Sequence, residues 1–516
     1  MFRNILSVGG FTLLSRIAGF FRDVVMAAVL GGGPIADAFL VAFRLPNHFR
    51  AIFAEGAFNA AFIPTYARLK EQNGLSIAKS FANEILTAML LAHLVLLTLA
   101  LGFTPQFVGL LAPGLSDDPF RFDLAVSLTR ITFPYLALIS VVTLMSGTLN
   151  ACDRFAVPAA APVLLNLSMI GTLLAAGLFP SAGHAAAWGV LIAGVLQVLM
   201  IGADAEHTGI GVRLGRPRMD PGTRRFLKAL GPAIIGAAGA QIAAFADTII
   251  ASFLPSGALS ALYYADRLYQ LPIGVVGIAV GTVLLPDMSR RIANGDEGGA
   301  AHAQARAVEL AILLSIPFAA AVMVVPDLLM KALFARGAFT DADAAAAADT
   351  LQAYGLGLLS VVLVRAFIAP FHARSDTRTP MIASLLALSF NLTLKIALMG
   401  HLAQVGLAFA TAVGTWVNLM LLIVFARRFG YPVGDAPLLR HLLRLGVVLL
   451  LVAGALFGLE RAASHLVPAT LRGREEVILA VVVVGGAIVY GCCVFVFLGR
   501  SFLAGVMGRR TPQQPT

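Results

Sequence analysis

Apolar windows of at least 18 residues recur along the whole chain, separated by short polar segments. Each is long enough to cross a hydrocarbon core of about 30 Å as a helix. The pattern predicts about fourteen spans, over 9–31, 35–62, 81–104, 125–150, 158–180, 184–204, 228–254, 258–285, 306–326, 350–372, 380–400, 403–426, 440–460 and 476–498. The expected fold class is therefore an all-α polytopic membrane protein.

Composition agrees. The chain has 516 residues, 59% hydrophobic and only 12% charged, about half the charge that a water-facing surface carries. The net charge of +10 is distributed by topology rather than gathered for nucleic acid. Lysine and arginine concentrate at the termini and after even-numbered spans, richest at Arg213, Arg216, Arg218, Arg224, Arg225 and Lys228, then at Arg427, Arg428, Arg440 and Arg444. The other side receives few, among them Arg121, Lys331, Arg336 and Arg461. By the positive-inside rule both termini are expected in the cytoplasm. Met1 leads straight into the first span without a small-residue cleavage site, so no removed signal peptide is expected. Cys152, Cys492 and Cys493 have neither zinc nor disulfide spacing.

The chain repeats itself at an offset of about 222–226 residues. Asp23-Val-Val-Met-Ala-Ala aligns with Asp247-Thr-Ile-Ile-Ala-Ser, Phe-Ile-Pro64 and Arg68 with Leu-Leu-Pro286 and Arg290, Asp153 and Pro158 with Asp376 and Pro380, and Asn166 with Asn391. One offset over many landmarks marks a duplication. Six spans per repeat give both halves the same orientation, related by a pseudo-two-fold axis along the membrane normal with the substrate path between them. The expected organisation is a six-helix lobe over 1–205, a basic cytoplasmic linker over 206–227, a second six-helix lobe over 228–430, two additional helices over 431–500 and a cytoplasmic tail over 501–516. This is a transporter plan.

Charges within the spans sharpen it. Arg16, Arg22, Arg44, Arg50 and Arg267 stand against Asp23, Asp37, Glu55, Asp247 and Asp266 in otherwise apolar stretches. A charge at mid-membrane costs about 2.5–3.5 kcal/mol on insertion scales and normally faces a partner or a wet cavity. Sequence neighbours such as Arg22 and Asp23 point to different helix faces, so some guanidinium groups are expected to face the cleft unpaired. Arginine's planar fork suits phosphate, and a diphosphate is the natural anion. Leu45-Pro46-Asn47 and Leu271-Pro272 are expected to break spans 2 and 8 beside these charges. Asp247, Asn391, Lys395 and Thr411 form a second candidate cluster, holding either a small cation or the Lys395 ammonium in its place, the alternative being a Lys395 near the membrane edge that snorkels to the interface. Asp341-Ala-Asp343 reads as a helix start. The sequence carries no catalytic motif, metal-ligand set or cofactor-binding loop, so no cofactor, no metal and no enzymatic activity are expected.

Ser15-Arg-Ile-Ala-Gly-Phe-Phe-Arg-Asp23, Leu45-Pro-Asn-His-Phe-Arg-Ala-Ile-Phe-Ala-Glu-Gly-Ala-Phe58, Tyr263-Tyr-Ala-Asp-Arg-Leu268, Gly281-Thr-Val-Leu-Leu-Pro286 and Asp376-Thr-Arg-Thr-Pro380 resemble the MurJ (MviN) family, from about residue 1 to 500. The resemblance implies an inner-membrane flippase of lipid II, the undecaprenyl-diphosphate-linked peptidoglycan precursor, in the multidrug/oligosaccharidyl-lipid/polysaccharide exporter superfamily. It implies fourteen helices, alternating access and a lipid-tail groove from spans 13 and 14. Lipid II and membrane lipid are the expected partners, with other cell-wall synthesis proteins in their company and no nucleic acid. By the same resemblance Arg16, Arg22, Arg50 and Arg267 match required cavity arginines, and Asp23, Asp37 and Asp266 match required acids, with Glu55 as a further charge partner. Gln270 stands where some relatives have glutamate, and Lys395 where some place an acid in a sodium site, so sodium coupling is not expected here. The alternatives are a flippase for another polyprenyl-diphosphate glycan, a membrane-embedded glycan polymerase and a drug or cation antiporter. The outer loops are too short to build a polymerase site, and cationic cargo would be repelled by the arginines.

Overall fold

The computed structural model describes residues 2–50, 56–216, 220–431, 433–435 and 437–506. Among them the regular elements are all helical: α1 (Phe2–Leu30), α2 (Pro34–Arg50), α3 (Gly56–Asn73), α4 (Leu75–Gly102), α5 (Thr104–Leu111), α6 (Pro119–Thr132), α7 (Tyr135–Asn150), α8 (Ala156–Leu174) and α9 (Ala182–His207). Then follow α10 (Pro221–Ser252), α11 (Ala258–Ala293), α12 (Glu297–Val324), α13 (Pro326–Phe334), α14 (Asp341–Gly355), α15 (Leu358–His372), α16 (Arg378–Arg428), α17 (Leu438–Leu466) and α18 (Arg474–Val506). Nine helical segments among the described residues are long and apolar enough to cross a membrane, with α6–α7 and α14–α15 each read as one. The helices α1, α10 and α11, which carry Arg16, Arg22, Asp23, Asp247, Asp266 and Arg267, are 29, 32 and 36 residues long.

The helix order itself repeats. The long α4, short α5 and broken pair α6–α7 recur as α12, α13 and the broken pair α14–α15. The breaks fall at Phe133-Pro134 and Leu356-Gly357. Sequence reading placed the breaks elsewhere, and here the structure corrects it: α2 runs through Pro46 to Arg50, and α11 runs through Pro272 and Pro286. A proline removes one rung of the helical ladder, and packing of the apolar faces carries the helix across that gap. Spans 11 and 12 reverse at a single non-helical residue, Ala403 (φ 45°, ψ −127°).

The contacts divide the chain into two compact units, Met1–Ser260 with Arg336–Thr340, and Ala261–Ala335 with Asp341–Thr516. In the first, α1 packs on α8, α8 on α9, α2 on α6, and α3 on both α4 and α10. Phe226 of α10 sits edge-on against Phe58 and Phe81, 5.6 and 6.1 Å between ring centroids, and Phe58 stacks on Phe62 at 5.1 Å. The segment leading to α10 is tied to α4: the Arg213 amide donates to Asn83 Oδ1 (2.7 Å), the Gly215 amide to Thr87 Oγ1 (2.9 Å) and Lys79 Nζ to the Gly209 carbonyl (3.1 Å).

In the second unit α12 packs on α15 and α17, and α17 on α18. Apolar side chains including Ile316, Ala320, Val448, Val452, Ile478 and Val482 fill that seam. One polar group fixes its register. The fully buried Glu309 accepts from His441 Nδ1 through Oε1 (2.6 Å) and pairs its charge with Arg306, Nη1 lying 2.7 Å from Oε2, and next to it His302 Nδ1 meets Asp435 Oδ2 at 2.8 Å. A buried carboxylate needs such partners to offset its lost hydration.

Candidate functional site

Arg22 and Asp23 are both buried in α1. Their expected separation onto different faces is corrected: Arg22 Nη2 and Nε both donate to Asp23 Oδ1, at 2.7 and 3.1 Å. The long guanidinium stem folds back along the helix to its neighbour, because an apolar environment makes pairing far cheaper than separation. Arg22 Nη1 donates in addition to Asn166 Oδ1 (3.0 Å), and Asn166 Nδ2 donates to the Ser15 carbonyl (3.0 Å). A clamp between α1 and α8 results, with Gly19 facing the Asn166 amide. Sequence analysis saw Asn166 only as a landmark of the repeat. Its signal was there: an asparagine in an apolar helix requires a partner.

Arg16 lies one and a half turns before Arg22, exposed, and lines a cavity of about 430 Å³ with Thr12, Ser15, Ser146, Asn150 and Phe155. Arg50 Nε donates to Asn47 Oδ1 (3.2 Å) at the end of α2. Glu55 lies outside the described residues.

Asp37 is placed apart from all of these. It is fully buried at the start of α2; Oδ2 accepts from the Gly257 amide (2.7 Å) and Oδ1 from the Ser260 amide (3.0 Å). Arg121 Nη1 lies 3.6 Å from Asp37 Oδ2, and Arg121 Nε donates to Asp118 Oδ2 (2.8 Å). Asp37 thus caps the incoming start of α11, where a carboxylate meets unsatisfied amides and the positive end of the helix dipole. Close backbone approaches surround it. Gly257 has φ +91°, and a Cβ there would fall 2.6 Å from the Gly32 carbonyl; Ser260 Oγ donates to that same carbonyl (2.9 Å). The Ala338 amide donates to the Ala28 carbonyl (2.7 Å), and a Cβ on Gly337 would collide with that oxygen. Residues 252–260 and 336–340, from the second repeat, are latched in this way onto the first unit. Arg121, which sequence analysis counted among the few cations opposite the basic side, belongs to the latch.

On the second unit, Arg267 Nη2 donates to Tyr263 Oη (3.1 Å), with Cζ 4.6 Å from the Tyr263 ring centroid. Asp266 accepts from Gln270 Nε2, one turn on. An amide at 270 therefore orients this carboxylate, where a second carboxylate would repel it. Asn391 Nδ2 donates to the Ala410 carbonyl (2.9 Å) and packs on Gly414; Thr411 Oγ1 bonds its own helix at Leu407, and Lys395 is buried on the same α16. Asp247 is half-buried on α10, in the first unit. Among the described residues no group of three or more His, Cys, Asp or Glu is arranged to hold a metal ion.

A family model described as lipid II flippase MurJ matches residues 26–471. The chain is 42% identical over 461 residues to the probable lipid II flippase MurJ of Rhizobium meliloti (strain 1021), covering 88% of this chain and 86% of that one. It is 35% identical over 462 residues to the lipid II flippase MurJ of Burkholderia cenocepacia, covering 88% and 89%. Among solved structures it is similar to a lipid II flippase MurJ in an inward closed conformation, with TM-score 0.78, 23% identity and coverage of 96% and 99%. A multidrug resistance MATE family transporter of the MOP superfamily, in an inward-facing conformation, follows with TM-score 0.65, 14% identity and coverage of 82% and 97%. These two structures share the fold.

Proposed function

The chain belongs to the lipid II flippase MurJ family, and from that premise we propose that it carries lipid II from the cytoplasmic to the periplasmic leaflet of the bacterial inner membrane by alternating access. As a member of a transporter family it makes and breaks no covalent bond, which sets the polymerase alternative aside. Both termini lie in the cytoplasm, the lobes over 1–205 and 228–430 rock about the substrate path, and the helices over 431–500 take the lipid tail.

The observation that carries the reading is the buried Arg22–Asp23–Asn166 clamp beside the Arg16-lined cavity. An ionised guanidinium held by a carboxylate and an amide in an apolar helix is pre-oriented, so a diphosphate gains its hydrogen bonds without first ordering the donor. Arg16, Arg22, Arg50 and Arg267 bind the diphosphate. Asp23 and Asp266 position Arg22 and Arg267, and exchange partners as substrate arrives. Asp37 closes the periplasmic side through Gly257 and Ser260, and outward opening requires those bonds to break.

Depletion of the protein in cells tests the cargo. Lipid II accumulates on the cytoplasmic side under this reading; accumulation of another polyprenyl-diphosphate glycan in its place assigns that cargo instead. Alanine at Arg22, Arg50 or Arg267 is expected to stop growth of cells that depend on this protein. Normal growth of all three at normal protein levels would falsify the site.

A further inference from the structure

Arg365 lies in the apolar run Ser-Val-Val-Leu-Val-Arg-Ala-Phe-Ile-Ala-Pro of α15, with no acid near it in sequence. Val362, Ala366 and Phe367 around it on the helix are buried, yet Arg365 itself is exposed. It forms no hydrogen bond or ion pair with the described residues. Its stem instead crosses α11 at Gly277, where a Cβ would fall 2.6 Å from Nε and 3.1 Å from Cζ. Gly277 is a notch that only glycine provides without displacing the guanidinium. A charged, unpartnered side chain at membrane depth marks a functional position by default.

Its depth says which one. Seven residues, about 10 Å of helix rise, separate Arg365 from His372 at the cytoplasmic end of α15. Ten residues, about 15 Å, separate Gly277 from Arg267 along α11. Arg267 and Arg365 are therefore staggered along the path, with Arg365 nearer the cytoplasmic side. We propose that Arg365, seated in the Gly277 notch, is a loading station that receives the phosphates of a lipid-linked diphosphate from the inner leaflet and hands them to Arg267. This rests on the proposed function and adds a step to it. Arginine suits the task because its donors can hold one phosphate while a second arginine takes the other.

The shared chemistry is a lipid phosphate, and its two sources are separated by measurement. The full-length protein in nanodiscs containing phosphatidylglycerol is titrated with undecaprenyl diphosphate and read by native mass spectrometry, for wild type, Arg365→Ala, Arg365→Gln, Gly277→Ala and Arg267→Ala. The expected result is diphosphate binding weakened about tenfold or more in Arg365→Ala and Arg365→Gln, as for loss of a charged hydrogen bond. Gly277→Ala should weaken it in the same direction with the charge intact, and phosphatidylglycerol retention should stay unchanged in all. Arg365→Gln removes the charge but keeps a polar, unbranched side chain, and decides the matter where the alanine variant does not fold. Wild-type affinity in the Arg365 variants, with Arg267→Ala weakened, would overturn the loading station alone. Equal loss of phosphatidylglycerol and diphosphate would also overturn it, showing a side chain that snorkels to bulk lipid. Absence of diphosphate binding by the wild type would sink the proposed function with it.

Discussion

The Asp37 carboxylate and the Ser260 amide, 3.0 Å apart in space, are 223 positions apart in sequence. That separation is the offset of the duplication, so the second residue of contact begins the very helix that duplicates the one Asp37 begins. The start of α2 caps the start of its own copy, α11. Converting Asp37 to asparagine replaces one acceptor by a donor facing an amide, which breaks one of the two caps and leaves Arg121 without its buried counter-charge. The expected outcome is a loosened latch. With Cys152, Cys492 and Cys493 replaced by serine, a cysteine at Ala338 should react faster with a membrane-impermeant thiol reagent in Asp37→Asn than in the parent. An unchanged rate would remove Asp37 from the latch.

Gly257→Ala provides an independent test of the same seam. The new Cβ meets the Gly32 carbonyl and forces a residue with a side chain to φ +91°, a combination that costs about 1–3 kcal/mol for the backbone alone. Loss of lipid II exposure at the outer face, or faster labelling at Ala338, is expected; wild-type values for both would show that the approach relaxes freely.

Asn166→Leu keeps the branched shape at the α1–α8 contact and deletes its polar half. Arg22 then loses an acceptor, which for a charged hydrogen bond is worth about 1.5–3 kcal/mol. Flipping should fall about tenfold or more at unchanged protein level, and Asn166→Leu combined with Arg22→Lys should cost less than the sum of the two. Strict additivity would mean that the side chains act separately.

Glu309→Gln tests the polar tie between α12 and α17. Removing the charge from this buried, paired carboxylate takes from Arg306 its nearest counter-charge, 2.7 Å away, and breaking a buried pair costs about 3–5 kcal/mol. The variant should unfold at lower temperature in detergent, with separation of α17 from α12 read by hydrogen exchange. An unchanged unfolding temperature would relegate the network to decoration of an apolar seam.

Asp376 caps the first turn of α16 through the amides of Arg378 and Thr379, both at 3.0 Å. Those bonds, the Thr379 amide foremost, hold its carboxyl below the usual carboxylate range. A lowered carboxyl stabilises the folded helix start above its unfolded value of about 3.9, and that contribution is lost as pH falls through the lower folded value. Exchange protection of the Arg378 and Thr379 amides should therefore hold at neutral and mildly acid pH and disappear only below about 4. Loss of protection near pH 6 would contradict the assignment.

Membrane potential and sodium separate the coupling. Lys395 is buried on α16 one turn from Asn391, where an ammonium can stand in for a bound cation. Outward movement of an anionic headgroup is assisted by about 2.3 kcal/mol per charge for each 100 mV. Lipid II exposure at the outer face should persist when potassium replaces sodium and collapse with an uncoupler; loss on sodium removal at constant potential would exclude this role for Lys395.

The spans and the duplication were legible because lipid imposes long apolar runs and the repeat preserved the order of long, short and broken helices. The charged residues were legible as a set, since each stands out against an apolar background. Their partners were not. Arg22 and Asp23 are adjacent in sequence, and rules of helix faces ignore a guanidinium that folds back on its own stem. Arg121 reaches Asp37 from a separate helix, and nothing local to either marks the pair. Pro46 and Pro272 were over-read, because a missing amide hydrogen is visible in sequence while the packing that tolerates it is not. Arg365 was passed over for want of an acid nearby, although that want is what leaves its charge available.

The contact boundary at Ser260 lies beyond the end of the first repeat, and this alters what half of the chain can be. Phe226 needs Phe58 and Phe81 for its seat, and Gly257 and Ser260 need Asp37. A protein cut within 206–227 would leave α10 in the fragment that lacks both. Each half, however faithfully it copies an ancestral gene, has become an incomplete body whose missing surface is encoded in the other.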